Sequence, residues 1–215
     1  MEKILSSIVP RADDTYLYER TLHDHGLAMV AGLDEAGRGP LAGPVVAACV
    51  ILPRDCAHSL FLDSKKLTPK RRETLAATLT AIGAVIGVGT VSHQTIDQIN
   101  ILQASLLAMK RAVDDLLSQG IAPDFLLIDG NFPIPATIPQ QPLVKGESKS
   151  ASIAAASIIA KTRRDALMAE LDRQYPLYQF SRHQGYPTKV HRLAIIQHGP
   201  CPCHRRTFKG VKEFV

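Results

Sequence analysis

The chain has 215 residues, enough for one large domain with a well-buried core, and its 46% hydrophobic content is that of an ordinary globular protein. Its longest apolar run, Val45 to Leu52, falls far short of the roughly 20 residues a membrane helix needs, and Met1 to Arg11 lacks the apolar stretch of a signal peptide; the expectation is a cytoplasmic protein with four reduced cysteines. The net charge of +5 is uneven: from Lys145 onward 13 Lys+Arg face 5 Asp+Glu (net +8), against 12 and 15 before it (net −3), which points to a polyanion partner such as nucleic acid.

Asp13 to Leu27 has the pattern of a short amphipathic helix ahead of the main fold. Leu27 to Leu33 reads as a strand running into Asp34, and Val45 to Leu52 as a second strand stopped by Pro53. Pro69 takes the first position of a helix reaching about Ile82. Ala84 to Val91 is a third strand; Ser92 caps a short helix, and a longer one follows from Leu102 to Ser118, ended by Gly120. Phe125 to Ile128 is a fourth strand leading into Asp129, and Gln141 to Lys145 a short fifth. Helices are predicted over Ser150 to Arg173 and Thr188 to Gln197. The pattern defines an α/β protein, a central mixed β-sheet flanked by helices. The expected organisation is an N-terminal extension (1–26), a main domain (27–198) and an irregular C-terminal tail packed on it (199–215).

Asp34 and Asp129 both end predicted strands. A carboxylate there is costly unless solvated, paired or bound to metal, and strand ends are where open α/β sheets hold ligands. Glu35 would point away from Asp34 in a regular strand, so the two can share a cation only if the chain leaves the strand, a turn that Gly37 and Gly39 permit. Glu147 offers a further anionic group. Oxygen-only ligands suit Mg²⁺ or Mn²⁺, and two such ions could activate water for phosphodiester hydrolysis. The Gly37-Arg-Gly-Pro-Leu-Ala42 turn formally matches a dinucleotide-binding fingerprint, but a strand, not a helix, follows it, so that reading is rejected.

Gly32-Leu-Asp-Glu-Ala-Gly-Arg-Gly-Pro-Leu-Ala-Gly43 resembles the signature of ribonuclease HII. Asp63-Ser-Lys-Lys-Leu67, Ile128-Asp-Gly-Asn131, Val144-Lys-Gly146, Ser152 to Lys161, Gly185-Tyr-Pro-Thr-Lys-Val-His191 and His204-Arg-Arg-Thr-Phe208 match in the family's order. The resemblance implies a ribonuclease H-like fold with a C-terminal helical segment. It implies cleavage of the RNA strand of RNA–DNA hybrids and of DNA duplexes with an embedded ribonucleotide, 5′ to the ribonucleotide, leaving a 5′-phosphate and a 3′-hydroxyl. It implies two divalent ions held by Asp34, Glu35, Asp129 and Glu147. The family's usual residue at the last position is Asp; Glu147 keeps the charge and lengthens the arm by one methylene. Gly37, Arg38 and Gly39 match the turn that senses the ribose 2′-OH, and Tyr186 the tyrosine that stacks on the following sugar.

Ser64, Lys65, Lys145, Lys149 and Ser152 are candidate phosphate contacts. Lys161 and Asp165, four apart on a helix, are expected to pair. Cys201, Cys203 and the neighbouring His198 and His204 depart from the C-x₂₋₄-C spacing of structural zinc sites, so the tail is read without metal. A monomer is expected, without a membrane partner. The alternative to an enzyme is a non-catalytic hybrid- or junction-binding protein on the same fold.

Overall fold

A computed structural model describes residues 14–61 and 67–215. Among the described residues six helices and five strands carry the architecture: α1 (Leu17–Asp24), β1 (Val30–Ala36), β2 (Val45–Ile51), α2 (Pro69–Ala81), β3 (Val85–Val91), α3 (His93–Ser118), β4 (Phe125–Asp129), β5 (Gln140–Leu143), α4 (Ala151–Gln174), α5 (Phe180–His183) and α6 (Lys189–His198), with short 3₁₀ turns at His58–Leu60, Gly146–Ser148, Pro176–Tyr178 and Lys212–Phe214. Of these, α5 and the 3₁₀ turns lie in stretches without helical periodicity, and sequence reading did not anticipate them.

The sheet order is β3-β2-β1-β4-β5. β1 pairs antiparallel with β2 and parallel with β4, and β4 pairs parallel with β5. Alternation along the strands assigns the two faces. Ala31, Leu33, Val45, Ala47 and Cys49 pack with Ala104, Ala108, Ala112 and Leu116 of α3. Ala48 and Val50 pack with Ala151, Ala154, Ala155 and Ile158 of α4. The helices lie close because the strands present no side chain where they cross: a Cβ on Gly32 would stand 2.1 Å from the Ser152 carbonyl carbon, and one on Gly89 2.0 Å from the Ala108 oxygen. This explains why α4 begins with a run of small residues.

The predicted pair of helices after Ser92 is borne out: within α3 a short and a longer helical segment meet at Asn100, whose backbone (φ 68°, ψ 166°) is not helical. The Asn100 side chain then caps the second half, accepting from the Gln103 amide at 3.1 Å. α1 is no loose appendage. Tyr18 and Leu22 enter a core cluster with Val30, Phe125 and Ile153, and the buried Glu19 carboxylate accepts from Ser150 Oγ (2.6 Å) and the Ser152 amide (2.9 Å) at the start of α4. A satellite core of Leu41, Ala42, Met168, Phe180, Ile195 and Cys203 joins the C-terminal helices to the turn after β1. No helix among the described residues is long and apolar enough to cross a membrane, and all four cysteines are free thiols.

Candidate active site

The site follows from the register of the parallel strands. Leu33 of β1 lies opposite Ile128 of β4, so the next residues, Asp34 and Asp129, emerge side by side at the carboxyl ends of neighbouring strands. One strand further on, Asp129 lies opposite Leu143, and the chain leaving β5 delivers Lys145, Gly146 and Glu147.

One expectation is corrected here. The chain does not leave the strand before the Asp34–Glu35 pair: β1 starts at Val30 and continues to Ala36, held by β2 alone through Asp34↔Ala48 and Glu35↔Ala47, whereas its ladder with β4 ends at Leu33. The unpaired β4 side leaves a notch, and both carboxylates line the same cavity. That cavity, of about 310 Å³, is also lined by Gly37, Arg38, Gly39, Asp129, Ser157, Lys161, Arg164 and Tyr186.

Each carboxylate is steered by a donor. Asp34 Oδ1 accepts from the Glu35 amide (2.7 Å), Asp129 Oδ1 from the Gly146 amide (2.7 Å) and Glu35 Oε1 from Arg38 (3.1 Å). Glu147, 8% exposed, stands outside the cavity lining but accepts from Ser157 Oγ at 3.3 Å. Burial, then the charges of Glu35 and Asp129, hold the Asp34 carboxyl well above the usual range; a hydrogen bond from Ser157 opposes them and Glu147 adds to them. Burial also raises Glu35, partly offset by Arg38. This is a set of oxygen ligands whose charges repel in a low-dielectric notch, the situation a hard divalent cation relieves. Among the described residues no three of these carboxylates bring oxygens within 4.8 Å of one another.

The turn is held from beneath by two arginines that sequence reading did not single out. Arg205, fully buried, donates to the carbonyls of Gly37 (2.6 Å), Arg38 (3.0 Å), Gly43 (3.0 Å) and Pro44 (3.3 Å). Arg164 donates to Pro44 (3.0 Å), Ala42 (3.3 Å) and Gln184 (3.0 Å). Burial lowers both guanidinium groups, Arg164 to about 10 and Arg205 to about 9, the latter also disfavoured by Arg164 itself. Ser157, Lys161 and Arg164 recur at helical spacing on α4, a pattern that could have flagged them. Arg205 has no such spacing and carries only its place in the His204-to-Phe208 match. Lys161 pairs with Asp165 as expected (3.2 Å), and Asp165 also takes Arg72 (3.0 Å).

The remaining candidates separate. Tyr186, 42% exposed, lines the cavity with its ring against Gly39. Lys145 is exposed and Lys149 half-buried, both on the connection that carries Glu147. Ser152 is corrected: it is fully buried beneath β1, with its amide committed to Glu19, and cannot meet a phosphate. Ser64 and Lys65 lie outside the described residues. A Cβ on Gly39 would press on the Tyr186 ring at 3.3 Å. Gly39→Ala is therefore expected to displace that ring and lower kcat/KM on ribonucleotide-containing duplexes on the order of tenfold, with thermal stability little changed. Steady-state kinetics and a melting curve check it; unchanged kinetics would remove the ring from the site.

The sheet topology, the helices on both faces and the carboxylates at parallel strand ends are those of ribonuclease H folds. Ribonuclease H2 from Pyrococcus horikoshii OT3 is similar at a TM-score of 0.70 and 28% identity, covering 87% of this chain and 97% of that one. Bst-RNase HIII, solved in complex with Mn²⁺, shares the fold at a TM-score of 0.70 and 21% identity, over 90% of this chain and 71% of that one. The chain is a ribonuclease H, a metal-dependent nuclease. The family model for Ribonuclease HII matches residues 31–211, and a Ribonuclease HII of Desulfotalea psychrophila is 57% identical over 215 residues, 100% of this chain and 96% of that protein. This chain belongs to the ribonuclease HII family, whose activity is endonucleolytic cleavage of RNA in RNA–DNA hybrids.

Proposed function

We propose that this enzyme cuts hybrids and also DNA duplexes carrying a single ribonucleotide, 5′ to that ribonucleotide, leaving a 5′-phosphate and a 3′-hydroxyl. The observation that carries the reading is the shared cavity: the carboxylates Asp34, Glu35 and Asp129 face the glycine turn and Tyr186 across one space. Asp34, Glu35, Asp129 and Glu147 would hold two Mg²⁺ or Mn²⁺ ions. When bound, such ions supply Lewis-acid stabilisation of phosphate charge and ease deprotonation of water. Mn²⁺ has support in the bound ion of the RNase HIII neighbour.

The chain's own part is positioning. With their carbonyls turned down onto Arg205 and Arg164, residues 37–44 offer the other edge of the turn to a substrate, and the absence of side chains at Gly37 and Gly39 lets a ribose come close. A 2′-OH, both donor and acceptor, is what a backbone turn can distinguish from deoxyribose. Tyr186 would stack on the following sugar, and Lys145 and Lys149 would neutralise flanking phosphates. A monomer working in the cytoplasm completes the proposal.

The test is a labelled DNA duplex with one ribonucleotide, incubated with Mg²⁺, Mn²⁺ or EDTA, alongside Asp129→Asn. A single cut 5′ to the ribonucleotide, lost with EDTA and with the variant, is expected. Cleavage of long hybrids only would overturn the junction reading and the roles given to Gly37–Gly39 and Tyr186.

A further inference from the structure

We propose that Cys201, Cys203 and His204 form a second cation site, chemically separate from the carboxylate cavity, that binds Zn²⁺ or a similar thiolate-preferring divalent ion. Spacing along the chain argues against it; the folded tail brings the ligands together. A turn closed by the His204 amide on the Cys201 carbonyl (3.0 Å) folds the segment back on itself. Cys201 Sγ then lies 3.3 Å from Cys203 Sγ and 3.1 Å from His204 Nδ1. All three ligand atoms fall within 4.8 Å of one another, the one such group of His, Cys, Asp and Glu among the described residues. Zinc bonds of about 2.3 Å to sulfur and 2.0–2.1 Å to nitrogen put the edges of the coordination tetrahedron near 3.5–3.8 Å. For the Cys201–Cys203 and Cys201–His204 pairs, loading the site requires the atoms to move apart by only a few tenths of an ångström, with His204 Nδ1 exchanging the Cys201 amide hydrogen bond for the ion.

The imidazole is set in the tautomer a metal needs. His191 Nδ1 faces the Tyr186 carbonyl at 3.0 Å, which can only accept, so Nδ1 carries the proton and Nε2 of a neutral His191 is an acceptor. That acceptor lies 3.0 Å from His204 Nε2, which must therefore be the N–H. From the other end, the Cys201 amide donates to His204 Nδ1 at 3.0 Å, which requires a lone pair there, although the Cys201 carbonyl also approaches at 3.2 Å. Both ends of the chain of bonds leave Nδ1 unprotonated, facing the sulfurs. A ligand histidine whose second nitrogen donates to a fixed acceptor is the usual outer-shell arrangement of zinc sites.

Two thiolates and an imidazole favour zinc-like ions, whereas the oxygen set of the active site favours Mg²⁺ or Mn²⁺, so the two sites would sort cations by chemistry. Cys201 is half-buried, giving an ion access, while Cys203 (3%) and His204 (1%) are held inside the satellite core. The segment is also the strap on the turn: Gly43 N–H donates to the Cys203 carbonyl (2.9 Å) and Arg205 N–H to the Leu41 carbonyl (2.8 Å). A cation at Cys201–His204 would thus pin the residue next to Arg205.

The full chain, kept reduced with a non-thiol reductant and in excess Mg²⁺, is titrated with Zn²⁺ against a chromogenic chelator, and separately with Co²⁺. One tight Zn²⁺ equivalent is expected, weakened at least about 100-fold in Cys201→Ser and in Cys203→Ser and unchanged in Cys56→Ser and Asp129→Asn. Co²⁺ should give intense near-ultraviolet thiolate charge-transfer absorption in the unmutated chain, a readout that does not depend on the variants folding. Absence of a tight equivalent, an equivalent that survives both cysteine changes, cobalt binding without charge transfer, or closure of Cys201 and Cys203 into a disulfide that excludes zinc would each overturn the proposal.

Discussion

Asp34→Asn is expected to cost on the order of 10³-fold or more in hybrid cleavage and, in the metal-free protein at neutral pH, to raise stability. The carboxylate is 5% exposed, and burial and its acidic neighbours raise it well above the usual range. Between the ordinary carboxylate value of 3.8 and that raised value the native state holds a proton that the unfolded chain has released. Its contribution to stability therefore falls as pH rises through this window and is at its most unfavourable above it. Asparagine keeps the oxygen that accepts from the Glu35 amide at 2.7 Å and removes the charge. A gain of roughly 1–2 kcal/mol, or about 2–8 °C in Tm, is expected at pH 7, shrinking as the pH is lowered toward 4. Divalent ions should reverse the order by stabilising the original chain and not the variant. Thermal melts at several pH values with and without Mg²⁺ measure this. A variant less stable than its parent without metal at pH 7 would show that the acidic cluster carries no strain.

Arg205→Lys is expected to destabilise by about 3–4 kcal/mol, lowering Tm by roughly 10 °C, and to reduce kcat/KM on ribonucleotide-containing duplexes about 10- to 100-fold. A guanidinium fork serves four carbonyls of the turn at once; an ammonium on a flexible stem cannot span them, and those it misses stay buried without a donor. The turn should then relax away from the ribose while the carboxylates, anchored on β1 and β4, stay in place. Arg206→Lys, on an exposed neighbour, is the control and should stay within about 0.5 kcal/mol of the parent. Equal behaviour of the two variants would mean that the turn needs no support from the tail.

Much of this protein was legible in one dimension. Strand and helix positions followed from periodicity to within a few residues, because buried strands alternate and amphipathic helices repeat whatever their partners. Asp34 and Asp129 announced themselves as charges at the ends of apolar runs, and the turn by glycines flanked by prolines. What needed the tertiary structure was everything set by residues far apart in sequence. The parallel register of β1 on β4 aligns Asp34 with Asp129, and the loss of β4 after Leu33 opens the notch that lets Glu35 join them without a break in the strand. Ser152 looked like a phosphate contact and is interior, since Gly32 lets α4 lie directly on β1. Arg205 read as one charge in a basic tail and is the buried clamp of a turn more than 160 residues away. The sequence by itself determined which groups carry charge and where local structure turns; only the fold decided which of those groups are dry, because desolvation and proximity depend on contacts between segments that local periodicity does not encode.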